Sequence, residues 1–186
     1  MSGKRMLLFL FSCVFCTGLH LHAKKVSSKI APPDALVVDA LAHLSETMTA
    51  LKPWGDNYES ELRKLKDALG DARTEVEPYE DGKSGVQTQL SGALAFLEDF
   101  FKQLKDNKAA LKASATASQM GGLRDALRLY RADALKKVKS LENFAKSKKA
   151  KSRVQLVQAM VTALRSGVLF MERITYRVRE TKKAAA

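Results

Sequence analysis

Cysteine is nearly absent from this 186-residue chain: it has two, Cys13 and Cys16, and both lie within the first 23 residues. Those residues have the pattern of a secretory signal, so the mature chain is predicted to enter an oxidising compartment without any disulfide. This excludes the small scaffolds that disulfides hold together, and also the zinc sites that are built on cysteine. Stability must then come from apolar burial, which about 160 residues can supply.

Proline and glycine are also scarce, with 4 and 10 residues in the whole chain. Their scarcity excludes collagen-like and low-complexity character. Hydrophobic residues make up 46% of the chain and charged residues 28%, which is enough apolar material for a core and argues against wholesale disorder. The length allows one domain.

Residues 1–23 contain the three parts of a cleavable signal peptide. Lys4 and Arg5 form the positive start, residues 6–19 are an apolar stretch, and a short polar segment ends at Ala23. The apolar stretch is shorter than the roughly 20 residues that a helix needs to cross a bilayer. We therefore predict cleavage after Ala23, or alternatively after Gly18. The mature protein is expected to be secreted and extracellular, or periplasmic in a bacterium, without a transmembrane span.

Beyond the signal, apolar residues recur at steps of three and four, which is the pattern of amphipathic helices. No window alternates apolar and polar residues in the manner of a strand. The sequence therefore predicts an all-α, antiparallel bundle of about five amphipathic helices in one domain, two short ones at the N-terminus and then three long ones. A flexible lead-in (24–32) precedes the bundle (33–182), and a polar, alanine-containing tail (183–186) follows it.

Proline and glycine mark the expected helix ends. Residues 53–55 separate the first two helices, and Asp56 is predicted to cap the second. The pair Gly121-Gly122 is predicted to precede the fourth helix, and residues 146–152 form a basic connector before the fifth. Two arrangements remain open. The first helix lies across or beside the others in one bundle of five, or the two short helices stack end to end against the three long ones.

Several apolar residues stand out within these helices. On the third helix, Leu97 and Phe101 occupy the expected core stripe, so that Phe96 and Phe100 are predicted to widen it. In the fifth helix, Gly167 lies in the best-patterned seam, where it would let a neighbouring backbone approach closely. A single tryptophan, Trp54, is predicted either to plug the space between the first two helices or to act as an exposed interface anchor.

Positive charge is concentrated in the C-terminal half. The whole chain has a net charge of +12. Residues 24–101 hold 9 basic and 14 acidic residues, a net charge of −5, whereas residues 102–186 hold 21 basic and 6 acidic residues, a net charge of +15. Such asymmetry points to an anionic partner.

Basic side chains cluster at two places in that half. Five of the eight residues in 146–153 are basic and none is acidic, which matches a short heparin-type pattern. On the last two helices, i,i+4 spacing places pairs of arginines on shared faces. The candidate residues for an anionic partner are Lys146, Lys148, Lys149, Lys151, Arg153, Arg173 and Arg177. The alternatives are a solvated connector, and arginines neutralised by acidic residues of the second helix.

Catalytic patterns are missing from the mature chain. Its one histidine, His43, is too few for a multi-histidine metal site, and no nucleophile elbow accompanies it. The acidic residues of the loop 75–81 lack the spacing of a calcium-binding loop. We therefore predict no cofactor, no metal and no enzymatic activity.

The composition and charge together predict a secreted, non-enzymatic interaction protein. Its basic C-terminal half would contact an anionic polysaccharide, a membrane surface or an acidic protein. Secretion and the sparse aromatic residues among the basic ones argue against nucleic acid. The alternative is a bundle with a hydrophobic groove that carries an apolar ligand, binds a partner helix or forms oligomers.

Overall fold

The structure is a computed structural model that describes residues 32–79 and 84–184. The predicted signal peptide, the lead-in up to residue 31 and the last two residues of the predicted tail lie outside the described residues. The chain divides into two compact units, residues 1–35 and 36–186. Of the first unit, the described residues are 32–35, which open the first helix, and the bundle described below is the second unit.

The described residues form five α-helices and no strand, which confirms the prediction of an all-α bundle. Two short 3-10 helices, Gly55–Asn57 and Lys108–Leu111, lie in the connections. The helices are α1 (Pro32–Ala50), α2 (Tyr58–Val76), α3 (Val86–Asp106), α4 (Ala117–Ala145) and α5 (Val154–Ala184). Helix α5 thus continues two residues into the segment that was predicted to be a tail.

The third helix is shorter than predicted. It has 21 residues, close to the 19 of α1 and α2, whereas α4 has 29 and α5 has 31. Helix α3 ends at its C-cap residue Asn107, whose side-chain amide donates to the carbonyl oxygen of Gln103 and so caps the last turn. The following 3-10 turn still brings Leu111 into the core, so the apolar stripe continues after the α-helix has ended.

Two predicted helix starts are wrong. Helix α4 begins before the glycine pair, because Thr116 and Gln119 form a capping box: the Thr116 hydroxyl accepts from the Gln119 N–H at 3.3 Å, and the Gln119 side chain accepts from the Thr116 N–H at 2.8 Å. Gly121-Gly122 therefore lies inside the helix. Asp56 lies in the 3-10 turn, and the residue that precedes α2 is Asn57, which makes no side-chain capping bond.

Side-chain contacts join neighbouring helices of the bundle. Arg73 of α2 reaches both carboxylate oxygens of Glu98 on α3 at 3.2 Å. At the same level of α3, Leu97 and Met48 of α1 both pack against Gly167 of α5. These contacts join α2 to α3 and α1 to α5, and the choice between the two arrangements considered for α1 and α2 stays a prediction. The buried hydroxyls of Ser45 and Ser166, 2.8 Å apart, also join α1 to α5.

The core differs from the predicted one in two details. Phe100, only 1% exposed, is one of the largest fully buried side chains, and its ring meets that of Phe170 edge-on at 5.9 Å. Phe101 is only half-buried. The prediction that Phe101 fills the core stripe and that Phe100 merely widens it is therefore wrong. At Gly167, a Cβ would lie 3.1 Å from a methyl carbon of Leu97 and 3.6 Å from the Met48 sulfur. The glycine therefore accommodates side chains rather than the predicted neighbouring backbone.

Among the described residues, one stretch of helix is long and apolar enough to cross a bilayer. It is Val154–Arg177 of α5, with a mean hydropathy of 1.4. In the structure, 61% of that stretch is buried inside the bundle. A helix that packs against several others is apolar for that reason, and the composition of α5 fits its place in the core.

Candidate functional site

The seven predicted binding residues lie near opposite ends of α5. Five of them belong to residues 146–153, which we call the connector, and this segment precedes the first turn of α5. Arg173 and Arg177 lie on the far part of the same helix. At 1.5 Å per residue, Arg153 and Arg177 are about 36 Å apart along the helix axis. The structure therefore forms two basic regions rather than one site.

The connector is a tightly folded segment. Three successive turns are closed by backbone hydrogen bonds, from Ser147 to Phe144 at 2.9 Å, from Ala150 to Ser147 at 3.3 Å and from Arg153 to Ala150 at 2.8 Å. The side chain of Ala150 is fully buried in the core. At its end, the Arg153 guanidinium lies 5.1 Å from the ring centre of Tyr79. Hydrogen-bonded turns and a buried anchor therefore fix the position of the connector backbone.

Four lysines project from this fixed backbone. Lys146, Lys148, Lys149 and Lys151 are all exposed. Within the described part of the chain, none of the four has an acidic partner within ion-pair distance. The acid that precedes them on α4, Glu142, is already bound to Arg165 of α5. The four lysines thus form a dense patch of positive charge that the described acidic residues do not neutralise.

Acidic residues do occur at the same end of the bundle. Glu75 and Glu77 close α2 just before Tyr79, and Glu77 lies 3.5 Å from Arg73. Glu80 and Asp81, the other acids of the loop considered for calcium, lie outside the described residues. Among the residues that the structure describes, no group of three or more His, Cys, Asp or Glu side chains is arranged to hold a metal ion.

Arg173 has a role in the fold that its spacing in the sequence did not indicate. Its guanidinium donates to the carbonyl oxygens of Met48 and Thr49 in the last turn of α1. It also lies 5.5 Å from the ring centre of Phe170. Helix α1 has no basic residue in its own last turn, so Arg173 supplies the cation that this helix end favours. Burial lowers the pKa of Arg173 from its ordinary value, although an arginine remains charged at any physiological pH.

Removing this cap should destabilise the bundle. We expect Arg173→Met to lower the free energy of unfolding by about 1–3 kcal/mol, because the α1 carbonyls lose a charged hydrogen-bond donor. Arg128→Met is a matched control, since Arg128 is exposed and has no ion pair among the described residues. Its effect should stay within about 0.5 kcal/mol. Urea denaturation measures both, and equal stabilities would show that Arg173 does not cap α1.

Arg177 and Trp54 form one edge of a surface groove. The Arg177 guanidinium lies 5.4 Å from the centre of the half-buried indole ring. The groove has a volume of about 730 Å³, and Leu169 and Tyr176 also line it. Trp54 therefore packs partly on the core and partly lines the groove, and its predicted role as a plug or as an interface anchor stays a prediction.

Four of the remaining cations that the structure describes on α4 and α5, including Lys136 and Arg165, are paired with nearby acids. Arg131 binds Glu172 across the two helices at 2.8 Å, and Arg124 binds its neighbour Asp125 at 3.0 Å. These acids belong to α4 and α5, whereas the predicted neutralising acids belong to α2. Glu61, one of those predicted acids, instead binds Lys64 of its own helix at 2.7 Å. The described ion pairs therefore differ from the neutralisation by α2 that was considered.

An exposed apolar row on α4 and α5 was not predicted from the sequence. Leu135, Leu169 and Tyr176 are 44%, 56% and 65% exposed, and all three line grooves on this face. One sequence pattern could have indicated this row: Leu169 and Tyr176 have i,i+7 spacing and lie outside the core seam of α5.

The chain matches no protein-family model, no curated protein and no solved structure. Function is therefore inferred from the connector and the grooves themselves.

Proposed function

We propose that this protein is a secreted, non-enzymatic interaction protein that binds an anionic surface or partner through its basic C-terminal half. The observation that carries the proposal is the connector. Four exposed lysines stand on hydrogen-bonded turns that the buried Ala150 anchors, and the described acids do not neutralise them. We place the binding site on these lysines together with Arg153.

Lysine clusters of this kind suit sulfate and phosphate groups. Each ammonium group is a compact point charge that binds such anions without requiring one particular geometry. Because the connector backbone is already ordered, binding requires little further loss of conformational freedom. The long lysine side chains can still adapt to an irregular array of anions. An anionic polysaccharide or an anionic membrane surface therefore fits the connector better than a single small anion.

The proposal predicts salt-dependent retention on immobilised heparin. The protein should elute earlier as salt rises past about 0.15 M, because exposed charges are screened within roughly a Debye length of 8 Å. The triple variant Lys148→Ala, Lys149→Ala, Lys151→Ala should elute at clearly lower salt than the parent protein. Flotation with phosphatidylserine vesicles, at the same salt, separates a membrane surface from a sulfated polysaccharide as the preferred partner.

A second triple variant separates the connector from net charge. Lys66, Lys102 and Lys108 are exposed, lie elsewhere on the bundle and have no ion pair among the described residues. Replacing these three with alanine removes the same charge and should leave retention close to that of the parent protein. Equal losses in the two triple variants would mean that net charge alone retains the protein. Unchanged retention of the connector variant would remove the connector from the binding site.

A further inference from the structure

The exposed apolar row on α4 and α5 lines two adjoining grooves between these helices. Two grooves, of about 620 and 610 Å³, meet at the paired side chains of Arg131 and Glu172, which line both. On α4 the lining residues run from Arg124 to Glu142, which corresponds to about 27 Å. We call this surface the α4–α5 groove. A helix of about 18 residues has the same length.

Ion pairs frame the apolar part of the groove. Leu135 and Leu169 line the stretch that Val138 and Val168 also line, and both valines are buried. Arg131 and Glu172 form an inter-helix pair towards Tyr176, and Glu142 pairs with Arg165 at the other end. Large apolar side chains that stay exposed together mark interaction surfaces more often than isolated ones do.

The excess of positive charge on this face favours an acidic partner over a second copy of the chain. Five cationic and three acidic side chains line the α4–α5 groove. The neighbouring groove beside Trp54 adds three cations, Lys52, Arg173 and Arg177, and one further acid, Glu180. A second copy that docked through the same face would bring two positive surfaces together, which opposes symmetric self-association. An acidic partner gains from the same charges.

We propose that the α4–α5 groove docks an amphipathic α-helix of a partner protein. The apolar stripe of that helix would lie on Leu135, Leu169 and Tyr176, and acidic residues would border the stripe on both sides. Both stretches are open to solvent, whereas a pocket for a small apolar ligand encloses most of its surface. Laying an apolar helix face into a groove is a common mode of recognition. This inference does not depend on the connector and goes beyond the anion binding proposed above.

Synthetic peptides test the inference directly. We would measure fluorescence anisotropy of a labelled 18-residue peptide with a leucine stripe at i, i+3, i+4 and i+7 that glutamates flank. A twin peptide carries lysine in place of every glutamate. The glutamate peptide should bind the full mature protein, and the lysine twin should bind at least about tenfold more weakly. The glutamate peptide should keep its affinity for the connector triple variant. This result would separate helix docking in the α4–α5 groove from anion binding at the connector, so that either proposal can fail without the other.

Surface substitutions locate the binding site. Leu169→Ser and Tyr176→Ser should each weaken binding of the glutamate peptide by about tenfold, as expected for an interface anchor. Leu129→Ser is the matched control, because Leu129 is 64% exposed on α4 and lies outside the groove. It should bind like the parent protein. All three residues are exposed, so circular dichroism should show unchanged folding.

Four results would overturn the inference. The first is no binding of the glutamate peptide, and the second is equal binding of both peptides. The third is a Leu169→Ser protein that binds as well as Leu129→Ser. The fourth is a concentration-dependent dimer in sedimentation that Leu169→Ser dissociates, which would make a second copy the occupant. Binding of decanoate with the same loss in Leu169→Ser, but no peptide binding, would instead identify a carrier of anionic amphiphiles.

Discussion

Replacing Phe100 with alanine is expected to lower the free energy of unfolding by about 3–5 kcal/mol, the usual cost of truncating a buried phenylalanine. Phe100 is fully buried on α3, and its ring packs edge-on against Phe170 of α5. Its ring centre also lies 6.2 Å from that of Tyr130 on α4. Truncation therefore opens a cavity where three helices meet.

Phe101→Ala is the matched control for this prediction. Phe101 is the next residue on the same helix and is only half-buried. Its truncation should therefore lower the free energy of unfolding clearly less than truncation of Phe100 does. Urea denaturation followed by circular dichroism measures both variants. A larger loss for Phe101 would mean that α3 is rotated by about 100°, one residue step, relative to the structure described here.

Leu164→Ala should lower the free energy of unfolding by about 2–5 kcal/mol. Leu164 is completely buried in the middle of α5, the helix that contacts α1, α3 and α4. Against a total stability of roughly 5–15 kcal/mol, such a loss is a large share. The melting temperature should fall plainly, and calorimetry measures the change.

Leu129→Ala provides the comparison for Leu164. It removes the same atoms from a leucine that is mostly exposed on α4, so its effect should stay within about 0.5 kcal/mol. If Leu164→Ala were as stable as Leu129→Ala, the central position of α5 in the bundle would be incorrect.

The sequence was sufficient to predict which segments become helices. Apolar steps of three and four mark each buried face, and α5, with the most regular pattern, was the easiest to identify. Helix ends were harder, because they depend on single side chains such as Asn107 and Thr116. The capping box of Thr116 and Gln119 matches a recognisable sequence pattern, but the glycine pair after it suggests a later helix start. A side-by-side and an end-to-end arrangement produce the same seams, so periodicity did not distinguish them.

The candidate sites also differ in how far the sequence predicts them. The connector was predictable, because its four lysines lie within the six residues 146–151 and need no tertiary contact to form a cluster. The structural role of Arg173 was not, since the carbonyl groups that it binds lie more than 120 residues earlier in the chain. Leu169 resembles any core leucine in the sequence. Its exposure is decided by where α4 packs on α5.

The most direct test of the proposed anion binding is a chemical-shift map. Backbone amide signals of the mature protein would be recorded by NMR while a short heparin oligosaccharide is added at low salt. We predict that the largest shifts occur at residues 146–153 and disappear in the triple variant Lys148→Ala, Lys149→Ala, Lys151→Ala. Shifts centred on the arginines of α4 and α5 instead, or no shifts at a saturating concentration, would contradict a binding site on the connector.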